Sequence, residues 1–294
     1  MLERNFIIMM KKIIAVLLIV ASLFTVFACK NGGSDNSDIV AQELKVKFFK
    51  MGRASCTIFR IADKTVMIDT GDEEKYDKIV EYMLEKGINR IDTLIITSLS
   101  KKNIGGISAV LGAATVGEVY IPAYTKSSGT YLTFENALSG AGLTPKKVSE
   151  KTTLKVSELE LTLYPPTKEY SSASDINDEA NSIVIEAKHG ATNMLLTSKI
   201  NGDRLTEVAD MFKDNEYSLV TVPNYGEYDA NLEKLFKAIK TEYAVVVTST
   251  TNPLPAETEA VLKNSGLDMA KLFNTVNGSI EASSLGRGLS EIKN

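Results

Sequence analysis

The sequence predicts an α/β protein: an αββα sandwich, two β-sheets packed face to face with helices on the outside. Three observations carry this. At 294 residues and 44% hydrophobic content, the chain is long and apolar enough for one large domain or two small ones. Strand-like and helix-like segments follow one another from Leu44 onward. A β-rich half with helices is followed by a second, similar half, so each half supplies one sheet and its covering helices.

The elements follow in order. Lys11-Lys12 is a basic start, and Ile13–Ala28 is an uninterrupted uncharged run. Its length suits the apolar core of a secretory signal and is short for a membrane span. Residues 1–28 are therefore expected to be a signal peptide, and 29–43, rich in Asn, Gly and Ser, a flexible tether. The folded domain is expected over 44–288, with a short tail at 289–294. Leu44–Phe49, Thr57–Ile61 and Thr65–Ile68 are apolar or β-branched, with a turn at Ala62-Asp63-Lys64. Asp72–Lys86 places Tyr76, Ile79, Val80, Met83 and Leu84 on one helical face, with acidic residues at its start and Gly87 at its end.

Strand Ile91–Thr97, helix Ile104–Ala114, strand Glu118–Pro122 and helix Thr130–Ala141 come next. A β-rich middle spans Thr152–Val156, Leu159–Tyr164, Ile183–Ala187 and Met194–Thr197, the last two flanking a hairpin at His189-Gly190. Helices Arg204–Phe212, Ala230–Ile239 and Ala256–Lys263 alternate with strands Leu219–Val222 and Tyr243–Thr248. A terminal strand pair lies near Leu272–Thr275 and Ser279–Ala282.

Composition narrows the chemistry. The chain has one His, His189, and two Cys, Cys29 and Cys56. First-row metals are held mainly by His, Cys and carboxylates, so no two-metal site can be built from His here. Loss of the leader removes Arg4, Lys11, Lys12 and Glu3, which takes the formal charge from −4 to −6. Nucleic-acid binding is led by clustered Lys and Arg, so no nucleic-acid partner is expected.

Thr97–Gly106 reads Thr-Ser-Leu-Ser-Lys-Lys-Asn-Ile-Gly-Gly after the apolar Ile91–Ile96. It resembles the signature loop of the metallo-β-lactamase fold superfamily, Thr-His-x-His-x-Asp-His-x-Gly-Gly. Further pieces of that frame are Thr65-Val66-Met67-Ile68-Asp69-Thr70-Gly71, Asn181-Ser182-Ile183-Val184, Leu195-Leu196-Thr197, Val222-Pro223, Tyr243–Thr248 and Asn277-Gly278-Ser279-Ile280. Their order and spacing are most similar to the metallo-β-lactamase domain of DNA-uptake competence proteins. The resemblance implies the αββα sandwich over roughly Leu44 to Leu285. The end of the leader, Val26-Phe27-Ala28-Cys29, resembles a bacterial lipobox, which implies a lipid-modified Cys29. A plain signal anchor with an incidental Cys is the alternative.

The resemblance also implies where metal ligands should stand, and they are changed. Ser98, Ser100 and Asn103 replace His, and Lys102 replaces Asp. Lys199 takes the station of a metal-bridging carboxylate, Asn224 that of a His in Pro-His-His-Gly-Ser, and Leu254 that of a His before Pro. The early Asp-Val-Gly-Gln-Gly-Asp becomes Lys50-Met51-Gly52-Arg53-Ala54-Ser55. Such hydrolases use metal to lower the pKa of bound water from ~16 toward 7. Ser and Asn are poor zinc ligands and an ammonium cannot coordinate, so no metal or other cofactor is expected.

Asp69 is the surviving family carboxylate, beside the metal site in the family. It either meets Lys199 as an ion pair or leaves Lys199 to reach solvent. His189 reads as a solvent-exposed turn residue, with a lone general base as the other reading. Cys56, on an apolar strand, reads as a buried packing thiol rather than a nucleophile. Ser98-Leu99-Ser100-Lys101 fits the Ser-x-x-Lys pattern of serine acylases, but Lys-Thr-Gly is absent and Ser290–Lys293 fits equally well.

The expected protein is an exported bacterial lipoprotein, held through its lipid on the outer face of the cytoplasmic membrane, or on an outer membrane where the host has one. Its domain is expected to bind or scaffold without catalysis. The ligand, a small anion or an anionic polymer end, is expected in a groove where Asp69, Ser98, Ser100, Lys101, Lys102, Asn103, Lys199, Asn224 and Tyr225 converge. The alternative is a hydrolase, either metal-free through a Ser and a Lys or a divergent metal-dependent enzyme.

Overall fold

Alternation builds the first strand. In β1 (Leu44–Phe48) Leu44, Val46 and Phe48 are buried while Lys45 and Lys47 face outward, the period of two expected of a half-covered strand. The structure, a computed structural model, describes residues 42–168, 170 and 177–294. The expected signal peptide, Cys29 and nearly all of the tether lie outside these residues. No helix among the described residues is long and apolar enough to cross a membrane.

Antiparallel ladders join β1 to β2 (Thr57–Ile61) and β2 to β3 (Lys64–Ile68) around the turn Ala62-Asp63. From β3 the sheet continues in parallel through β4 (Arg90–Ile95), β5 (Thr115–Pro122) and β6 (Lys146–Val148). Parallel neighbours need crossovers. These are α1 (Asp77–Glu85), then α2 (Lys101–Ile104) with α3 (Ile107–Ala113), then α4 (Gly129–Gly140). Helix α1 buries Ile79, Tyr82 and Met83 against the sheet. It starts later than its apolar stripe suggests, because the Asp72 carboxylate accepts from Glu74 N at 3.1 Å and holds a turn there.

The single helix expected at 104–114 is two helices. At Gly105-Gly106 the chain runs against the backbone of the loop after β3. A Cβ on Gly106 would lie 2.1 Å from the Thr70 carbonyl oxygen, and one on Gly105 2.6 Å from Glu73 N. That contact requires both glycines and breaks the helix between α2 and α3.

The second sheet begins antiparallel with β7 (Thr152–Val156), β8 (Leu159–Tyr164), β9 (Val184–His189) and β10 (Thr192–Leu196). It turns parallel through β11 (Glu216–Thr221), β12 (Lys240–Val246) and β13 (Leu272–Asn274), crossed by α5 (Asp203–Met211), α6 (Leu232–Ala238) and α7 (Ala256–Asn264). The chain then returns to the first sheet as β14 (Ile280–Ser284), paired with β1, and β15 (Leu289–Lys293). The strand orders are β15-β14-β1-β2-β3-β4-β5-β6 and β13-β12-β11-β10-β9-β8-β7.

Three apolar layers result. One lies between the sheets around Phe48, Phe59, Leu161 and Leu219; the others lie under the helices of each sheet, around Ile79, Ile104 and Phe134 and around Leu205, Phe212 and Leu235. This is the expected αββα layering.

Three expectations are corrected. The terminal pair is split: β13 lies in the second sheet and β14 in the first. The tail at 289–294 is an edge strand, because Leu289 and Ile292 pack against the inter-sheet layer. His189 is fully buried, not solvent-exposed. The hairpin turn is Gly190-Ala191, and the loop after β14 closes over it so tightly that a Cβ on Gly190 would lie 2.5 Å from the Gly286 oxygen. His189 Nδ1 meets Ser284 Oγ at 3.2 Å, and its Nε2 lies 3.6 Å from Glu158.

Candidate functional site

The site forms where the ends of β3, β4, β10 and β11 meet between the sheets. Asp69 follows β3 in a left-handed conformation, φ +60, and is 1% exposed. Its carboxylate accepts from Thr97 N at 2.8 Å, Thr97 Oγ1 at 2.8 Å and Asn103 Nδ2 at 2.7 Å. Burial pushes its pKa from the ordinary 3.8 up to about 6, although hydrogen bonds from Thr97, Ser55 and Asn103 favour the charged form.

Around this carboxylate the polar side chains satisfy one another. Asn103 Oδ1 accepts from Ser100 Oγ at 2.6 Å, so the amide bridges Ser100 and Asp69. Thr97 Oγ1 accepts from Ser198 Oγ at 2.6 Å. Ser98 is fully buried, its hydroxyl 3.5 Å from the Asp178 carbonyl. Tyr124 donates to Asp178 at 2.7 Å and accepts from Leu99 N at 2.9 Å, and Lys126 pairs with the same carboxylate. This network holds the loop between β4 and α2 from behind.

Lys199 takes a partner that neither sequence reading supplied. Its ammonium pairs with Glu179 at 2.7 Å, not with Asp69, and it is buried rather than reaching solvent. Glu179 is pulled up by burial, but the Lys199 hydrogen bond and charge outweigh that and hold its pKa below the ordinary value.

Tyr225 occupies the centre. Asn224, Tyr225 and Gly226 are all left-handed, with φ +45, +57 and +74. For Asn and Tyr this conformation is uncommon, and strain of this kind costs ~1–3 kcal/mol per residue. Asn224 N donates to the Ser198 carbonyl at 3.0 Å and Thr258 Oγ1 to the Gly226 carbonyl at 2.9 Å, which fixes the turn. Three cations face the Tyr225 ring: Arg53 Cζ at 5.0 Å, Lys102 Nζ at 5.3 Å and Lys199 Nζ at 6.0 Å from its centroid. Burial, and then Asp69, push the Tyr225 pKa well above its ordinary value. Its hydroxyl and Arg53 Nε are buried with no protein partner among the described residues.

Behind the ring lies a cavity of about 50 Å³, lined by Phe48, Ser55, Thr57, Ile68, Asp69, Thr97, Leu196, Ser198, Lys199, Thr221, Val222, Tyr225 and Val247. That is room for about three water molecules.

Not every expected groove residue converges. Asp69, Lys102, Asn103, Lys199 and Tyr225 do. Ser98 lies beneath the surface, and Ser100 is spent on Asn103. Lys101 points away, paired with Glu73 at 2.9 Å and near Asp72 and Glu74. Asn224 Nδ2 donates to Glu227 at 3.0 Å. Leu254 packs over Gly226, where a Cβ would meet its Cδ1 at 2.4 Å. A buried Ser98 and a Lys101 held by Glu73 do not form a serine–lysine pair. Cys56 is buried, and burial, then Asp69, raise its pKa well above the ordinary value, as befits a packing thiol.

The residues present do not fit a catalytic metal. Asp69 is the sole carboxylate on the cavity wall, its lone pairs are engaged by Thr97 and Asn103, and an ammonium shares the wall with it. Among the described residues no group of three or more His, Cys, Asp or Glu is placed to hold a metal ion.

Sequence reasoning did not pick out Glu179, Asp178, Tyr124 or Ser198. Arg53 lies in the Lys50–Ser55 segment, and its place beside Tyr225 carries no sequence signal.

No protein-family profile matches the sequence, and no curated protein matches it. Solved structures match by fold. A protein of Parabacteroides distasonis, provisionally assigned as a metal-dependent hydrolase, has a TM-score of 0.52 at 13% identity, covering 79% of this chain and 93% of its own. The metallo-β-lactamase fold protein YhfI of Bacillus subtilis has a TM-score of 0.49 at 12% identity, covering 79% of this chain and 95% of its own. At such identities the likeness speaks for the fold alone. With two mixed sheets and flanking helices, the chain is an αββα sandwich, the fold it shares with the Parabacteroides protein.

Proposed function

We propose that this chain is a membrane-anchored lipoprotein whose metallo-β-lactamase-type domain works without a metal, as a binder of a small anion or an anionic polymer end. The single observation behind this is the self-satisfied polar network around Asp69 with a cluster of cations beside it. Asp69, Thr97, Asn103 and Ser198 complete one another's hydrogen bonds, while Arg53, Lys102 and Lys199 surround Tyr225. A dication would meet three fixed cations, whereas an anion would find donors. The frame is most similar to the domain of DNA-uptake competence proteins, with the hydrolytic apparatus lost. Anchoring rests on the leader and Cys29.

Calorimetric titration with oxalate tests the binding. Saturable heat that is lost in Arg53→Gln is the expected result. Bis-p-nitrophenyl phosphate and nitrocefin with added zinc test the chemistry. No turnover is expected; zinc-dependent turnover would instead make the protein a divergent hydrolase.

A further inference from the structure

We infer that Lys102 is a reactive amine that captures anionic carbonyl compounds of the 2-oxo acid type as an imine. The recognition of the anion rests on the binding reading above; the reactivity of the amine rests on its own geometry.

Three cations crowd one ring, but they are not equivalent. Arg53 is paired with Glu227, and Lys199 with Glu179 at 2.7 Å. Neighbouring Lys101 is paired with Glu73 at 2.9 Å. Among the described residues Lys102 has no carboxylate partner. The positive charges beside it are held in place by their own carboxylates, so Lys102 is the cation of the cluster whose charge no carboxylate supports. Burial first, then Arg53 and Lys199, lower its pKa from the ordinary lysine value. An amine desolvated beside fixed cations is a recurrent way to make a lysine nucleophilic at neutral pH.

The amine is also held in place. The Lys102 carbonyl accepts from Ser55 N at 2.9 Å, and Asn103 is tied to Asp69, so the first turn of α2 is fixed at both faces. Lys102 is half-buried, with its Nζ 5.3 Å from the Tyr225 ring centroid.

The chemistry balances without a cofactor. The Nζ lone pair attacks the ketone carbon, and a proton moves from nitrogen to the carbonyl oxygen. The carbinolamine then loses water and leaves a C=N bond. A 2-oxo acid suits the charge of the cluster, because its carboxylate adjoins the ketone. With the ketone carbon at Lys102, the carboxylate would enter the field of Arg53 and Lys199, the two cations that act on the Lys102 amine.

The test uses the full-length chain at pH 7 with pyruvate and sodium cyanoborohydride, which reduces any imine to a stable secondary amine. Peptide mass spectrometry compares Lys102 with Lys213, an exposed lysine far from the cluster in sequence. Lys102 should be modified at least about tenfold faster, the smallest gain typical of a focused electrostatic site. Arg53→Gln should lower the rate at Lys102 and leave Lys213 unchanged. Lys102→Arg should remove the label, and a circular dichroism spectrum and urea midpoint matching wild type show that its fold is intact. Equal rates at Lys102 and Lys213 would overturn the inference. Oxalate, which carries no ketone, separates the two claims: binding without preferential labelling sinks the reactive amine alone, and absence of oxalate binding sinks the anion reading.

Discussion

Asp69→Asn should change how stability depends on pH, with a sign set by the raised pKa. The folded carboxyl titrates at about 6 and the unfolded one near the ordinary 3.8. Between those values the folded chain holds a proton that the unfolded chain has released. Stability therefore falls as pH rises through that window and levels off above it. The full difference corresponds to about 3 kcal/mol, of which about 1.4 kcal/mol lies between pH 5 and pH 8. Asn cannot titrate, so the variant lacks this loss. The chain has no Trp and 11 Tyr, so urea unfolding is followed by near-ultraviolet circular dichroism of the tyrosines. At each pH the wild-type value is subtracted from the variant's, which cancels groups common to both. The difference should grow in favour of Asp69→Asn by about 1.4 kcal/mol from pH 5 to pH 8. A difference that stays flat or shrinks would refute the reasoning, because Asp69 would then be charged at no cost and the site would be wetter than its burial implies.

Tyr225→Phe keeps the ring that faces Arg53, Lys102 and Lys199 and should stay within about 1 kcal/mol of wild type, whereas Tyr225→Leu should lose about 2 kcal/mol or more of unfolding free energy; equal stability of the two variants would show that the cations gain nothing from the ring. Ser98→His should produce no zinc-dependent phosphodiesterase activity, since Lys102 and Lys199 remain. Lys199→Asp should raise zinc affinity more than Ser98→His, as read by competition with a chromophoric chelator, because it removes a cation and adds an oxygen ligand; the reverse order would mean that the metal station is misplaced. Wild-type protein should fractionate with membranes and Cys29→Ser should not, since two acyl chains anchor at ~0.8 kcal/mol per buried methylene; recovery of wild type as free protein would contradict the anchor.

Much of the fold is legible in the sequence because its signals are local. The alternation of Leu44, Val46 and Phe48 with lysines writes β1, and the spacing of Ile79 and Met83 writes α1. The double glycine at Gly105-Gly106 is visible too, although its reason, the backbone of Thr70 and Glu73 pressed against it, is not. What escapes is set by partners distant in the chain. His189 looks like a turn residue until Ser284, 95 positions later, comes to its ring. Leu289 and Ile292 look like a tail until the inter-sheet layer receives them. Lys199 and Asp69 share a cavity wall, yet the ion pair goes to Glu179, which carries no periodic or motif signal of its own. Lys101 and Lys102 are adjacent and chemically alike, and only the helical rotation between them sends one to Glu73 and the other over Tyr225.

The central claim is that the site around Asp69 holds no catalytic metal, and elemental analysis tests it most directly. The full-length protein, purified without chelator and dialysed, is assayed for zinc, manganese and iron by plasma mass spectrometry. The account predicts less than about a tenth of an equivalent of each, because Asp69 is engaged by Thr97 and Asn103 and shares the cavity lining with the Lys199 ammonium. One or two equivalents retained through dialysis would contradict it.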